Sequence, residues 1–168
     1  SAEKVGAVNV IRIDQGKLTG FNSDYYGFQA SLDAVRRGKI IKKALILGTG
    51  GASKAVIAAL NDLGTEITMV SRNSGEGILT YEEVKTGNLV GSADLIVNTT
   101  PLGMYPNIEE SPDLPYESIK KDTIAFDLVY NPALTLFLEL AKAQGAIIEN
   151  GLRMLELQAE KSWEIWQA

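Results

Sequence analysis

The sequence predicts an α/β fold: a doubly wound, mostly parallel sheet with helices on both faces, preceded by a short β-hairpin and a linking helix. Two observations predict it. Short apolar runs typical of strands alternate with stretches of helical periodicity, which is the pattern of parallel βαβ units. Most of these runs are continuously apolar, as expected for strands that are covered on both faces.

Five apolar runs are the predicted strands of the sheet, and two helices are predicted among them. The strands are ALIL at 44–47, ITMV at 67–70, DLIV at 94–97, IAFDL at 124–128 and AII at 146–148, with helices at 52–63 and 134–143. Segment 73–86 leaves room for about one or two helical turns, so the crossover helix there is expected to be short or absent.

The first 38 residues carry a different pattern. It predicts a strand at 5–13, a turn at 14–17, a returning strand at 18–21 and a helix at 24–37 closed by Gly38. Because this segment precedes the first βαβ unit and is not required by it, we expect a boundary near 38–42.

Composition excludes several classes of site. The 168 residues include no cysteine and no histidine, which excludes disulfides, a thiol nucleophile, a Cys or His zinc site and a Ser/His/Asp triad. We expect no metal site.

The net charge is −5 and no run of Lys or Arg exceeds two, which argues against nucleic acid as a partner and favours a small molecule or another protein. No apolar run approaches a membrane span and no signal-peptide pattern opens the chain, so a cytoplasmic protein without a membrane partner is expected.

The sharpest local motif is LILGTGGAS at 45–53, in which a strand passes through glycines directly into a helix. Gly48 permits a tight turn and Gly50 lets a pyrophosphate approach the backbone, while the helix N-terminus attracts the anion. Ser53 departs from the Gly or Ala usual at the third position. The motif predicts a Rossmann-like dinucleotide site; an ordinary glycine-rich turn is the alternative.

The second strand of the sheet is followed by Arg72, where an NAD site usually carries an acidic residue. A guanidinium suits a 2′-phosphate, which favours NADP, although a solvated surface arginine is the alternative.

Two polar loops, at 98–104 and 127–132, follow the next two strands, and ligands bind at such carboxyl ends. Either could also be a plain loop.

Taken together, these motifs resemble the shikimate dehydrogenase family. The matching segments, in order, are GAVN at 6–9, GFNSD at 20–24 with Gly27, GTGGAS at 48–53, SRN at 71–73, NTTPLGM at 98–104, DLVYNP at 127–132 with Thr135, and GLRML at 151–155 with Gln158. The resemblance implies an NADP-dependent enzyme of aromatic amino-acid biosynthesis that reversibly reduces 3-dehydroshikimate to shikimate.

The resemblance also assigns roles to residues. It implies that cofactor is bound by Gly48, Gly50, Gly51, Ala52, Ser71, Arg72, Asn73, Thr99, Thr100, Leu128, Gly151 and Met154. It makes Asp24 the acid of a catalytic Lys/Asp pair and a substrate ligand, with Asn9, Tyr130 and Gln158 also binding substrate. Other interpretations stay open: Asp24 as a helix N-cap, Asn9 as a partner of backbone groups in the hairpin, and Gln158 as a polar residue of an amphipathic helix.

Two departures from the family pattern shape the prediction. Glu76 stands where a second basic residue usually follows the arginine, and the amino-terminal substrate domain that normally supplies the catalytic lysine is missing. We therefore expect a remnant of that domain and the linking helix at 1–38, the dinucleotide-binding domain at 39–150, and a helix returning toward the substrate domain at 151–168. The missing domain is an expected partner, and the chain is expected to be inactive alone. A quinate/shikimate dehydrogenase and a non-catalytic nucleotide-binding module are the alternatives.

Overall fold

The computed structural model describes residues 1–168 and contains eight strands and six α-helices. The strands are β1 (Val10–Asp14), β2 (Lys17–Phe21), β3 (Lys43–Leu47), β4 (Glu66–Ser71), β5 (Ile78–Thr80), β6 (Leu95–Asn98), β7 (Ile124–Asp127) and β8 (Ile147–Glu149). The helices are α1 (Ala2–Val5), α2 (Ser23–Arg36), α3 (Gly51–Asp62), α4 (Tyr81–Thr86), α5 (Leu136–Ala143) and α6 (Leu152–Gln167). None of these helices combines the length and apolar character needed to cross a membrane.

Six strands form one sheet in the order β5-β4-β3-β6-β7-β8, and all neighbouring strands in it are parallel. Counted from β3, this is the 3-2-1-4-5-6 order of a Rossmann sheet. The order reverses between β3 and β6, which opens a crevice at their carboxyl ends. Strands β1 and β2 form a separate antiparallel hairpin. The predicted fold class is therefore confirmed.

The core lies on both faces of the sheet because the inner strands are apolar throughout. Along β3, Ile46 belongs to one buried cluster while Leu45 and Leu47 belong to the other. Helices α2, α3 and α6 cover the first face, and α4 and α5 cover the second. All four residues of β6 and of β7 are buried, which explains why these runs carry no polar alternation.

Helices α2 and α6 pack closely against each other, and both cover the sheet. A Cβ at Gly27 in α2 would lie 2.6 Å from the carbonyl oxygen of Met154, so the small residue permits the close approach. Phe28 meets Phe126 of β7 with ring centroids 5.0 Å apart. The predicted division of the chain at residues 38 and 150 stays a prediction.

One local prediction is wrong, and one strand was missed beside a crossover helix that is short, as predicted. The strand predicted at 5–13 begins only at Val10, because residues 2–5 form the single turn α1, which Gly6 ends with a φ of 68°. Segment 73–86 contains the short helix α4 and also β5, a strand that was not predicted. Because β5 has three half-buried residues at the edge of the sheet, it is too short to show a period of two.

Candidate functional site

A cleft of about 400 Å³ opens at the carboxyl ends of β3, β6 and β7, where the strand order reverses. Five of the predicted site residues line it: Ala52, Thr99, Thr100, Leu128 and Tyr130. The rest of the wall is Pro101, Met104, Tyr105, Val129 and Asn131. The two loops predicted as ligand sites therefore face one cavity.

The glycine loop borders this cleft and has the geometry that the sequence predicts. Gly48 has a φ of +103°, and a Cβ there would lie 2.8 Å from Thr99 Oγ1, so only glycine fits without strain. Gly50 is the N-cap of α3, and a Cβ on it would meet nothing within 4 Å. The backbone at Gly50 and Gly51 is thus open to a ligand at the start of a helix, as a pyrophosphate site requires.

Ser53 stands at the third glycine position and is almost fully buried. Its hydroxyl donates to the carbonyl oxygen of Gly50 over 2.7 Å, a bond that closes the first turn of α3. The departure from Gly or Ala therefore leaves the loop intact and ties it to the helix.

The predicted 2′-phosphate residues lie beside the cleft, at the end of β4. The Gly48 amide donates to the carbonyl oxygen of Val70 over 2.8 Å, so the end of β4 runs next to the glycine loop. Ser71 is half-buried, while Arg72 and Asn73 are exposed and do not line the cleft. Burial raises the pKa of Tyr81, and the nearby positive charge of Arg72 opposes that rise. Arg72 therefore follows β4, which lies on the side of β3 opposite to β6 and β7.

Behind the cleft, Asn98 and Asp127 end adjacent strands and pair in register. Asn98 Nδ2 donates to Asp127 Oδ1 over 3.0 Å, and the Val129 amide donates to the same oxygen over 3.0 Å. Thr135 Oγ1 donates to Asp127 Oδ2 over 2.6 Å. Both carboxylate oxygens are satisfied in a site with no solvent exposure.

Burial raises the pKa of Asp127 to about 6, against the opposing effect of its three hydrogen bonds. Asn98 and Asp127 begin the two predicted ligand loops, but neither residue was assigned a role of its own from sequence. A signal was present, since each is a polar residue that ends an otherwise apolar strand run. Such residues at the carboxyl edge of a parallel sheet are candidates for ligand-site support.

A second cluster joins the hairpin segment, α2 and α6. The Ser23 amide donates to Asn9 Oδ1 over 2.8 Å, and Asn9 Nδ2 donates to Ser23 Oγ over 3.1 Å. Ser23 Oγ in turn donates to Gln158 Oε1 over 3.1 Å. Ser162 Oγ lies 3.0 Å from Ser23 Oγ. The structure thus brings Asn9 and Gln158, two predicted substrate ligands, together through the buried Ser23, which was not predicted as a site residue.

Asp24 lies next to this cluster, in the first turn of α2, and is half-buried. The N-cap of α2 is Asn22, whose side chain accepts a hydrogen bond from the Tyr25 amide, so the alternative of Asp24 as the cap is wrong. Burial raises the pKa of the Asp24 carboxyl, and its hydrogen bond with Asn9 opposes the rise. Asn9 does satisfy a backbone group, but at the start of α2 and not within the hairpin.

Gly151 and Met154 connect the two parts of the site. A Cβ at Gly151 would lie 2.0 Å from the carbonyl oxygen of Leu128, so only glycine allows α6 to start against the cleft loop. Met154 is buried between α6, α2 and the sheet. From this start, α6 carries Gln158 toward Ser23, which links the cleft to the Asn9 and Asp24 cluster.

Comparison with known proteins identifies similar chains. No protein-family model matches the chain. The NADP(+) shikimate dehydrogenase of Methanococcus maripaludis is 39% identical over 178 residues, covering 98% of this chain and 64% of that protein. A chorismate mutase/shikimate 5-dehydrogenase fusion from Clostridium acetobutylicum superposes with a TM-score of 0.87 at 40% identity, covering 99% of this chain and 61% of that one.

A third protein was solved with ligands bound. The shikimate 5-dehydrogenase of Thermus thermophilus, in complex with NADP(H) and shikimate, superposes with a TM-score of 0.81 at 36% identity. The match covers 98% of this chain and 64% of the other, so the chain spans slightly less than two thirds of the proteins that it matches. The sequence alignment and the structural superposition both cover nearly every residue of this chain, and the chain belongs to the shikimate dehydrogenase family.

Proposed function

We propose that this chain binds NADP(H) and is the cofactor-binding portion of an enzyme that reversibly reduces 3-dehydroshikimate to shikimate. The observation that carries the proposal is the cleft at the reversal of strand order, bordered by an open glycine loop at the start of α3. Relatives named as NADP(+) shikimate dehydrogenases, and a similar structure holding NADP(H) and shikimate, support it.

The cofactor would lie across the carboxyl edge of the sheet. The pyrophosphate would meet the backbone of Gly50 and Gly51, where the α3 N-terminus favours negative charge. Arg72 would bind the 2′-phosphate at the end of β4, flanked by Ser71 and Asn73. The nicotinamide end would occupy the cleft, which Thr99, Thr100 and Leu128 line. Gly151, which lies against Leu128, and Met154, three residues further along α6, would border it from the side of that helix.

The substrate would lie between Tyr130 at the cleft and the Asn9, Asp24 and Gln158 cluster. When bound, the nicotinamide supplies the hydride that reduces the ketone. The ketone oxygen must gain a proton as it becomes a hydroxyl, and Asp24, whose pKa is raised by burial, can carry that proton. Asn9 and Gln158 offer amide groups to orient the substrate hydroxyls, held in place by Ser23.

We also propose that the chain alone does not turn over shikimate. A Lys/Asp pair needs a lysine beside Asp24, and a neighbouring ammonium group would lower the pKa of the carboxyl. The pKa of Asp24 is instead raised by burial, opposed only by the hydrogen bond with Asn9. Lys4 is paired with Asp62, and Lys39 Nζ donates to the carbonyl oxygen of Asp122 over 2.7 Å. Exposed apolar side chains on the hairpin and α6, such as Ile13 and Trp163, offer a surface to a further substrate domain.

Calorimetric titration with NADPH and with NADH, together with an absorbance assay for NADPH formed from shikimate and NADP⁺, tests both statements. We expect saturable binding that favours NADPH, without turnover. Absence of dinucleotide binding would contradict the cofactor role, and robust turnover would contradict the inactive-alone statement.

A chimera separates an enzyme portion from a non-catalytic nucleotide module. Joining the unmatched part of the Methanococcus maripaludis relative to this chain should give shikimate-dependent NADPH formation, and Asp24→Asn in that chimera should abolish it. Quinate offered in parallel distinguishes a quinate/shikimate dehydrogenase. A folded chimera that binds NADPH and substrate but remains inactive would favour the non-catalytic module.

A further inference from the structure

Two loops that line the cleft meet behind it at one buried carboxylate. The first loop follows β6 and contributes Thr99, Thr100 and Pro101 to the wall, and the second follows β7 and contributes Leu128 to Asn131. Asp127 accepts hydrogen bonds from both sides of this junction and lines no part of the cleft itself.

On the side of the first loop, Asn98 extends the contact of Asp127 into the cleft wall. Its Nδ2 donates to Asp127, while its Oδ1 accepts from the Thr100 amide over 3.0 Å and from Thr100 Oγ1 over 2.6 Å. Thr100 Oγ1 then accepts from the Leu102 amide over 3.3 Å. Asp127 therefore fixes the orientation of the Asn98 side-chain amide through its nitrogen. The amide oxygen, held in that orientation, in turn positions Thr100 in the first loop.

On the side of the second loop, Asp127 holds both the start and the end of the segment. Its Oδ1 accepts from the Val129 amide, which bends the chain directly after β7. Its Oδ2 accepts from Thr135 Oγ1, and that same hydroxyl caps α5 by accepting from the Leu138 amide over 3.3 Å. Burial raises the pKa of the nearby Tyr116 to about 12, and the negative charge of Asp127 adds a smaller increase.

We propose that Asp127 is a positioning residue that couples the two cleft loops, through Asn98 to residues 98–102 and through Val129 and Thr135 to residues 128–135. The carboxylate is suited to this because it presents only acceptors, and all three surrounding groups are donors. An amide at this position would keep one acceptor for Asn98 and Val129 but turn a donor toward Thr135, whose hydroxyl would lose its acceptor. The relevance to cofactor binding rests on the proposed function, whereas the coupling itself does not.

Amide hydrogen exchange at pH 8, where the carboxylate is ionised, tests the coupling without any ligand. Asp127→Asn should speed exchange at the Val129 amide and also at the Thr100 amide, which Asp127 does not touch. Exchange in the middle of β6, at Ile96, should stay slow and report an intact sheet. Acceleration confined to residues 128–138 would overturn the proposal, because Asp127 would then hold its own loop alone.

A second pair of variants keeps the proposal testable if Asp127→Asn fails to fold. Thr135→Val removes one hydrogen bond to Asp127, and Thr135→Ser restores it. The matched control is Thr123→Val, which removes a buried hydroxyl that donates to Ala93 at the opposite end of β7. Thr135→Val should speed exchange at Thr100, Thr135→Ser should reverse this, and Thr123→Val should leave Thr100 unchanged. Equal effects of Thr135→Val and Thr123→Val would overturn the coupling.

NADPH titration of the same variants connects the coupling to the site. Asp127→Asn should weaken binding by about tenfold, the loss typical of one misplaced buried hydrogen-bonding group, with Thr123→Val unchanged. If wild type binds no dinucleotide, the proposed function fails while the exchange results still decide the coupling. If wild type binds and Asp127→Asn accelerates exchange without weakening binding, the positioning role is overturned.

Discussion

The Ser23 hydroxyl on α2 donates a hydrogen bond to Gln158 Oε1 on α6 over 3.1 Å. Ser23 has no solvent exposure, and it also exchanges two hydrogen bonds with the exposed Asn9. Residues separated by 135 positions in the chain are thereby held as one polar cluster beside Asp24.

Ser23→Ala should lower the free energy of unfolding by about 1 kcal/mol, because it removes the buried hydroxyl that is hydrogen-bonded to the half-buried Gln158 and the exposed Asn9. The control lies on the same helix: the Ser31 hydroxyl is also buried but has no hydrogen-bond partner, so Ser31→Ala should leave stability unchanged or higher. Urea denaturation of the three proteins measures this. Equal losses from both substitutions would show that the Ser23 hydrogen bonds contribute nothing specific.

The glycine loop offers a pair of substitutions that separates ligand binding from folding. Gly50→Ala should leave stability within about 1 kcal/mol, since the added Cβ meets nothing within 4 Å, yet it should weaken NADPH binding at least tenfold by obstructing the pyrophosphate. Gly48→Ala should destabilise the fold by more than about 1 kcal/mol because of its positive φ and its contact with Thr99. Thermal melts and NADPH titration measure both. Unaltered NADPH affinity in Gly50→Ala would place the pyrophosphate elsewhere.

The features predicted correctly from sequence depend on local chemistry. The buried strands were recognisable from continuous apolar runs, and the loop at Gly48 from a turn that requires glycine, so β3 and the start of α3 were placed within one residue. Arg72 directly follows β4, as its position in the βαβ unit predicts, while its role toward a cofactor stays a prediction.

The features that escaped prediction depend on register and long-range contact. Asn98 and Asp127 are 29 residues apart and meet only because β6 and β7 pair in register. Ser23 links Asn9 and Gln158 only because α2 and α6 pack together, and this packing cannot be read from the sequence. The residues could be named individually from sequence, whereas their partners follow from the tertiary fold.

Cofactor choice should depend on Arg72. Arg72→Ala should weaken NADPH binding about tenfold or more while leaving NADH binding unchanged, because the 2′-phosphate alone uses the guanidinium. Glu76→Gln should strengthen NADPH binding by removing a negative charge from the following segment. Arg37→Ala is the control, since this exposed arginine precedes the amino end of β3, whereas Arg72 follows the carboxyl end of β4. Parallel calorimetric titrations measure the ratio of the two affinities, and an equal loss for NADPH and NADH would contradict the assignment.

Stability should also depend on pH through Asp127. Burial raises its pKa to about 6 in the folded chain, from 3.8 as the reference value. Between these values the folded chain binds a proton that the unfolded chain lacks, so the contribution of Asp127 to the free energy of unfolding increases as pH falls. From pH 7 to pH 5 the gain should be about 1 kcal/mol.

Asp127→Asn isolates this effect because the amide does not titrate, whereas every other group is retained. The difference in the free energy of unfolding, wild type minus variant, should therefore rise by about 1 kcal/mol from pH 7 to pH 5 in urea denaturation. Asp24, whose pKa is also raised by burial, contributes equally to both proteins and cancels in the difference. A constant difference would mean that the folded chain keeps Asp127 ionised at pH 5, and a falling one that its three hydrogen bonds outweigh burial.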